Sequence, residues 1–420
     1  MKPIVVLVAT LGVGTVATAT TVMTLSAPAA PQSFSIGSWV DERPGPDSAR
    51  VAALFDAMGR TDAVTCEMLS DQIGNFWWGG DEWGIGRLSD ARPGVRAAKD
   101  SVSGRVRDPA AIRQLTATLA SDDPCLRRTA ARMLGRSTIT DDALARFFDD
   151  PSPRVVEAAL LAAGAQERPA LRGRLESLLG SRTESTAAMA AWALGQLEMR
   201  ESVAPLATAL ERGTQKVRIH AAWALGQIED GRAVDPLRRV LRDDDPALRV
   251  VAVEALGYIE ALSSAADVER VLREDTDRAV RLAAIQALAD IESVTSLDVL
   301  ASVLDGNDVE LAVAAAEAID NLDVEGRAPA ALIRAAASRE PLLRRAAAIA
   351  LANIADPATV DALIGLLADA DAEVRLAAVE GLGEIGLPAA KPGLTRALTD
   401  RDPEVRRAAV DALAEIEENS

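Results

Sequence analysis

The feature that most limits what this chain can become is a phrase that returns about every 31 residues through most of its length. One copy reads Val217-Arg-Ile-His-Ala-Ala-Trp-Ala-Leu-Gly-Gln-Ile228; others read Leu248-Arg-Val-Val-Ala-Val-Glu-Ala-Leu-Gly-Tyr-Ile259 and Val374-Arg-Leu-Ala-Ala-Val-Glu-Gly-Leu-Gly-Glu-Ile385. The hydrophobe before the glycine, or its counterpart, serves as an anchor. It recurs as Leu194, Leu225, Leu256, Leu288, Ile319, Leu351, Leu382 and Leu413, at steps of 31 or 32 residues. Two degenerate copies, anchored at Leu134 and Ala163, precede these, so about ten units run from residue 108 to the C-terminus. A repeat of this length is one supersecondary element that cannot shield its apolar side alone, so neighbours must stack on it.

Local chemistry makes each unit a helical hairpin. Eleven residues before the anchors stand Asp123, Ser152, Thr183, Thr214, Asp245, Asp277, Asp308, Glu340, Asp371 and Asp402. All but Glu340 are of the type that caps a helix by accepting a bond from an unpaired backbone N–H. Proline often follows, as in Asp245-Pro246 and Asp402-Pro403, where its missing N–H costs nothing. Val217, Ala221, Leu225 and Ile228 then fall on one helical face. A second amphipathic segment, such as residues 233–241, precedes each cap. The expected fold is therefore all-α: an α-solenoid, a superhelix of about ten hairpins over residues 105–420.

Composition agrees. Hydrophobic residues make up 49% of the 420, but aromatics only 3%, which suits close-packed helices with small contacts rather than a large aromatic core. The formal charge of -18 repels phosphate backbones and argues against a nucleic-acid partner.

The capping, anchor and period together resemble HEAT repeats, in particular the short subgroup also found in phycobilin lyases. Arg127, Arg218, Arg249, Arg281, Arg344, Arg375 and Arg406 match the arginine that the family carries seven residues before the anchor. The resemblance implies that these arginines bridge to acids of adjoining units as an inter-repeat ladder, matched by the cap aspartates. Charges spaced once per unit and so matched do not form a basic patch.

The N-terminal quarter lacks the repeat. Lys2, an uncharged apolar stretch over residues 4–25 and the small-x-small triplet Ala27-Pro28-Ala29 read as a signal peptide over residues 1–29, with an uncleaved membrane anchor as the alternative. Residues 30–104 are expected to form a cap with short helices at 49–58 and 63–73. They also hold a glycine-rich aromatic loop with Trp77, Trp78 and Trp83. Large rings cover the open end of a solenoid well, and the same rings are a candidate second binding surface. Cys66 and Cys125, an even pair in an exported chain, are candidates for a disulfide.

In a HEAT-like stack the second helices line the inner wall, and the positions two before and two after each anchor face the groove. These are Trp192 and Gln196, Trp223 and Gln227, Glu254 and Tyr258, Gln286 and Asp290, and Glu317 and Asn321. Further on come Ile349 and Asn353, Glu380 and Glu384, and Asp411 and Glu415. His220 shares the face of Trp223. The groove thus passes from indoles and glutamines to carboxylates. The indoles either grip a ligand or pack on a neighbouring helix. The acids either solubilise the surface or select a basic partner segment.

Catalysis finds little support. HEAT-type hydroxylases use repeated His-Glu pairs at the position held here by Ile219-His220, and the chain has one histidine. Two cysteines and one histidine are too few for a zinc site, and no nucleophile elbow accompanies His220. No cofactor is expected. The expected function is a non-catalytic extracytoplasmic scaffold that binds a protein or peptide on its concave face. The alternative is a glycan- or envelope-binding module that uses the tryptophans, and a lyase-type enzyme ranks behind both.

Overall fold

The period becomes hairpins because every turn of the repeat carries its own start and stop. The computed structural model describes residues 45–60, 102, 104–165, 168–322, 324, 326–354 and 356–418. Helix α1 (Ser48–Met58) is followed by ten hairpins. They are α2 (Pro109–Thr118) with α3 (Pro124–Gly135), α4 (Asp141–Ala145) with α5 (Pro153–Ala163), and α6 (Arg172–Leu178) with α7 (Glu184–Gln196). Next come α8 (Val203–Arg212) with α9 (Gln215–Gln227), α10 (Val234–Val240) with α11 (Pro246–Tyr258), and α12 (Ala265–Glu274) with α13 (Arg278–Asp290). The last four are α14 (Leu297–Leu304) with α15 (Val309–Asp320), α16 (Ala330–Ala335) with α17 (Pro341–Ile354), α18 (Val360–Leu366) with α19 (Ala372–Ile385), and α20 (Lys391–Ala397) with α21 (Pro403–Glu418). Among the described residues there is no strand, and one isolated bridge joins Val106 to Ser137. The protein is an all-α solenoid.

The caps divide by chemistry. Asp123, Asp245, Asp277, Asp308, Asp371 and Asp402 each accept a first-turn N–H, for example Ala247 N–H on Asp245 at 3.0 Å. Ser152, Thr183 and Thr214 hold the same position but make no side-chain capping bond, which corrects the expectation for them. A carboxylate offers two oxygens to the helix start, whereas a hydroxyl offers one that must be aimed. At the other end, Glu198, Glu229, Glu260 and Glu292 take φ of 49 to 51° four residues after successive anchors, and Gly386 takes 65° at the same place. This left-handed residue turns the chain out of each second helix.

Each anchor from Leu194 to Leu382 is 0% exposed, while Leu413 of the last described unit is half-buried. The glycine after the anchor sets how closely second helices approach. A Cβ on Gly195 would lie 2.7 Å from Ala224 Cα, and one on Gly226 would lie 2.8 Å from Ala255 Cα. Successive second helices pack closely along the array, whereas successive first helices barely meet. A stack held tight on one side and loose on the other bends, and the second helices take the inside of the bend.

Helix α1 packs on α2 with Val51, Leu54 and Met58 fully or almost fully buried. Asp108 ties the two together: its carboxylate accepts Ala110 and Ala111 N–H of α2 and also Ser48 N–H at 2.9 Å. These bonds, Ala110 foremost, hold its carboxyl below the usual range despite the opposing effect of burial. The expected signal segment, the expected helix at 63–73, Trp77, Trp78, Trp83 and Cys66 lie outside the described residues. Cys125, at the start of α3, is not a free thiol. No described helix is long and apolar enough to cross a membrane.

Candidate binding face

The inner wall is built from one stripe of each second helix. On α7 and α9 the buried positions are the alanines, the anchors Leu194 and Leu225, and Gly195 and Gly226. Trp192, Trp223, His220 and Gln227 are half-buried beside them, and Gln196 is exposed. The same register leaves Glu254 of α11 half-buried. It exposes Tyr258, Gln286, Asp290, Glu317, Asn321, Asn353, Glu380, Glu384, Asp411 and Glu415 along successive units, with Ile349 half-buried. The residues two before and two after each anchor thus repeat at equivalent positions beside the packed stripe of successive second helices, with His220 one turn earlier than Trp223 on α9.

The glycines decide how the aromatic rungs sit. A Cβ on Gly164 would meet Trp192 Cζ3 at 2.7 Å, and one on Gly195 would meet Trp223 Cζ3 at 2.8 Å. A Cβ on Gly226 would meet Tyr258 Cδ2 at 3.5 Å. Each ring therefore leans back over the glycine of the preceding unit and leaves its other side toward the groove. The acids lean the same way: Asp290 Oδ2 lies 3.0 Å from where a Gly257 Cβ would be. His220 is engaged with its own helix, Nδ1 lying 2.8 Å from the Lys216 carbonyl.

Electrostatics separates this face from the edge of the array. Burial raises the carboxyl pKa of Glu254; burial and then the charge of Glu260 raise that of Asp290. Burial also raises Asp320, against the Asn353 amide that donates to it at 2.6 Å. Among the described residues none of the three has a cationic partner. At the edge, Arg218 reaches Asp243 (2.5 Å), Arg249 reaches Asp275 (2.7 Å), Arg344 reaches Asp369 (2.6 Å) and Arg375 reaches Asp400 (2.7 Å). Burial, the largest single influence, would raise Asp243 and Asp275, but the arginine hydrogen bonds, the backbone N–H bonds and the arginine charges together outweigh it, and both lie below their usual value. Arg344 and Arg375 likewise hold Asp369 and Asp400 down.

Two corrections to the expected ladder follow. The acids that meet the arginines are not the caps but residues two positions earlier, which also accept the N–H of the cap residue, as Asp243 does from Asp245 at 3.1 Å. The signal was present as Asp243-Asp244-Asp245, Asp275-Thr276-Asp277, Asp369-Ala370-Asp371 and Asp400-Arg401-Asp402. The ladder is also broken. Arg281 donates to the Leu272 carbonyl of its own unit at 3.2 Å, because the next unit has Gly306 where an aspartate would stand. Arg127 and Arg406 reach only carbonyls of their own units, Ser121 at 2.6 Å and Asp400 and Arg401 at 2.7 and 3.1 Å.

A stack of two-helix hairpins joined mainly through their second helices defines a helical-repeat protein. HEAT repeats match residues 171–257, 239–320 and 328–414, and the chain belongs to that family. Among solved structures it is similar to Kap95p in complex with RanGDP, with 14% identity and a TM-score of 0.50 over 88% of this chain and 55% of that one. It is also similar to an engineered protein (22% identity, 88% and 99% coverage, TM-score 0.40). A third likeness is the CpcE–CpcF complex of phycocyanin lyase from Nostoc (23% identity, 59% and 94% coverage, TM-score 0.34). At these identities the likeness concerns the fold. No curated protein matches the chain by sequence.

Proposed function

We propose that this chain is a non-catalytic, exported scaffold that holds a protein or peptide segment against its inner wall. The observation that carries the reading is the contrast in the carboxylates: those at the edge are neutralised by arginines, whereas Glu254, Asp290 and Asp320 are partly desolvated with no described cation beside them. A partly desolvated acid without a cation costs stability, and a basic partner segment would offset that cost. Trp192, Trp223 and Tyr258, seated on glycines and held by packing, supply preorganised apolar contact on the neighbouring rungs. The fold likeness to Kap95p, a protein that binds RanGDP, is consistent with a protein ligand. Export rests on residues 1–29, and a Cys66–Cys125 bond would tie the cap to the first hairpin.

The test is capture and identification of partners by the mature protein, with Trp192→Ala/Trp223→Ala on the inner wall and Arg174→Ala on the outer side as a control. The scaffold reading expects a protein partner to be lost with the inner variant and kept with the control. Protein capture indifferent to the inner variant, with a glycan ligand lost instead, would transfer the assignment to the envelope-binding alternative.

A further inference from the structure

The interface between α15 and α17 holds a residue type that no other unit has at the same place. Four of the eight units from Leu194 onward place glycine after the anchor, where an added Cβ would press on the adjoining second helix, and three place alanine. In α15 that position is Asp320, so a carboxylate stands where the other units keep glycine or alanine. Beside it runs a groove of about 300 Å³. Val313 of α15 and Ala346 and Ile349 of α17 line it with hydrocarbon, and Leu342, 67% exposed, forms its lip. Glu317 and Asp320 stand on the α15 side. The one cation lining it, Arg345, is drawn away into an ion pair with Glu373 of the next unit. Asn353 donates to Asp320 Oδ1, which orients the carboxylate and leaves Oδ2 without a described partner.

We propose that this groove is the seat of one arginine side chain of the bound segment, its methylenes against Val313, Ala346 and Ile349 and its guanidinium on Asp320 and Glu317. The inference rests on the scaffold reading and deepens it by naming what one rung selects. The volume is at the small end of ligand sites and suits a single long side chain rather than a cofactor. An arginine stem covers apolar surface while its head stays polar, which is the division of surfaces that the groove presents. The guanidinium fork matches carboxylate oxygens, and a site already partly desolvated strengthens the bond. An aliphatic residue next to that arginine would cover Leu342.

The experiment uses the mature chain with labelled isoleucine and leucine methyl groups, titrated with acetyl-Leu-Arg-Leu-amide and with its citrulline counterpart. Saturable shifts at Ile349 and Leu342 are expected with the arginine peptide, with affinity lowered about tenfold by Asp320→Asn and binding lost with citrulline. If Asp320→Asn unfolds, Glu317→Gln, at an exposed position, takes its place with a smaller loss. Shifts that are absent, or equal for the two peptides, overturn the proposal. A protein partner that is lost with Trp192→Ala/Trp223→Ala but bound unchanged by Asp320→Asn removes the groove and leaves the scaffold reading standing.

Discussion

The edge and the inner wall of this array are built from the same residue type and behave in opposite ways. At the edge, Asp400 meets Arg375, the pair being 12% and 4% exposed, and the carboxyl is held below its usual value. On the wall, Asp290 is without a described cation and its carboxyl is raised. An aspartate here is neutralised or left without a described cation according to whether the preceding unit delivers a guanidinium.

The largest expected effect breaks the edge. Arg375 donates two bonds to Asp400 and two to the carbonyls of Asp369 and Ala370. Arg375→Ala is expected to cost about 2–4 kcal/mol, since it strands a largely buried carboxylate as well as two carbonyls. Arg281→Ala, which removes one carbonyl bond, is expected to cost about 1 kcal/mol or less. Urea unfolding followed by helical circular dichroism measures both, and equal losses would mean that the edge pairs are not distinct from an ordinary carbonyl bond.

Acid titration separates the two sets next. Edge carboxyls bind protons more weakly in the fold than in the unfolded chain. Their stabilisation is therefore present above the unfolded value near 4 and lost as pH falls through the lower folded value. Asp308, held at about 2 chiefly by its bonds from Arg278, extends that loss to strong acid. Glu254, Asp290 and Asp320 carry the opposite sign: the fold binds their protons more tightly, so stability rises as pH falls through their raised values. The melting temperature is expected to hold or rise slightly from pH 7 toward about 5 and to fall below about 4. A monotonic decline from neutrality would contradict the raised set.

The smallest effect belongs to the wall alone. Glu254→Gln removes a partly desolvated charge with no described cation and is expected to raise the melting temperature by about 1 °C. A fall instead would reveal a cationic partner for Glu254 and blur the contrast.

Much of this was legible in the residues. The anchors, the ten hairpins and the inner stripe follow from period and face, because a helix repeats every 3.6 residues whatever surrounds it. The aspartate caps were legible for the same local reason, and the hydroxyl caps were overread because a residue type does not guarantee a bond. The ladder was legible in kind but assigned to acids two residues too late. Asp245 and Asp243 are indistinguishable by type, and only the distance between hairpins favours one. The break at Arg281 was written as Gly306 yet has no meaning until the units are stacked.

By itself, then, the sequence determined the unit: where each helix starts, which side is apolar and how often the pattern returns, all of them properties of a few consecutive residues. The tertiary structure decided which acids are neutralised, that Trp192 and Trp223 rest on Gly164 and Gly195, and that a groove lies beside Asp320. Those outcomes depend on the spacing between second helices, and that spacing is set by side chains about 30 residues apart meeting across an interface.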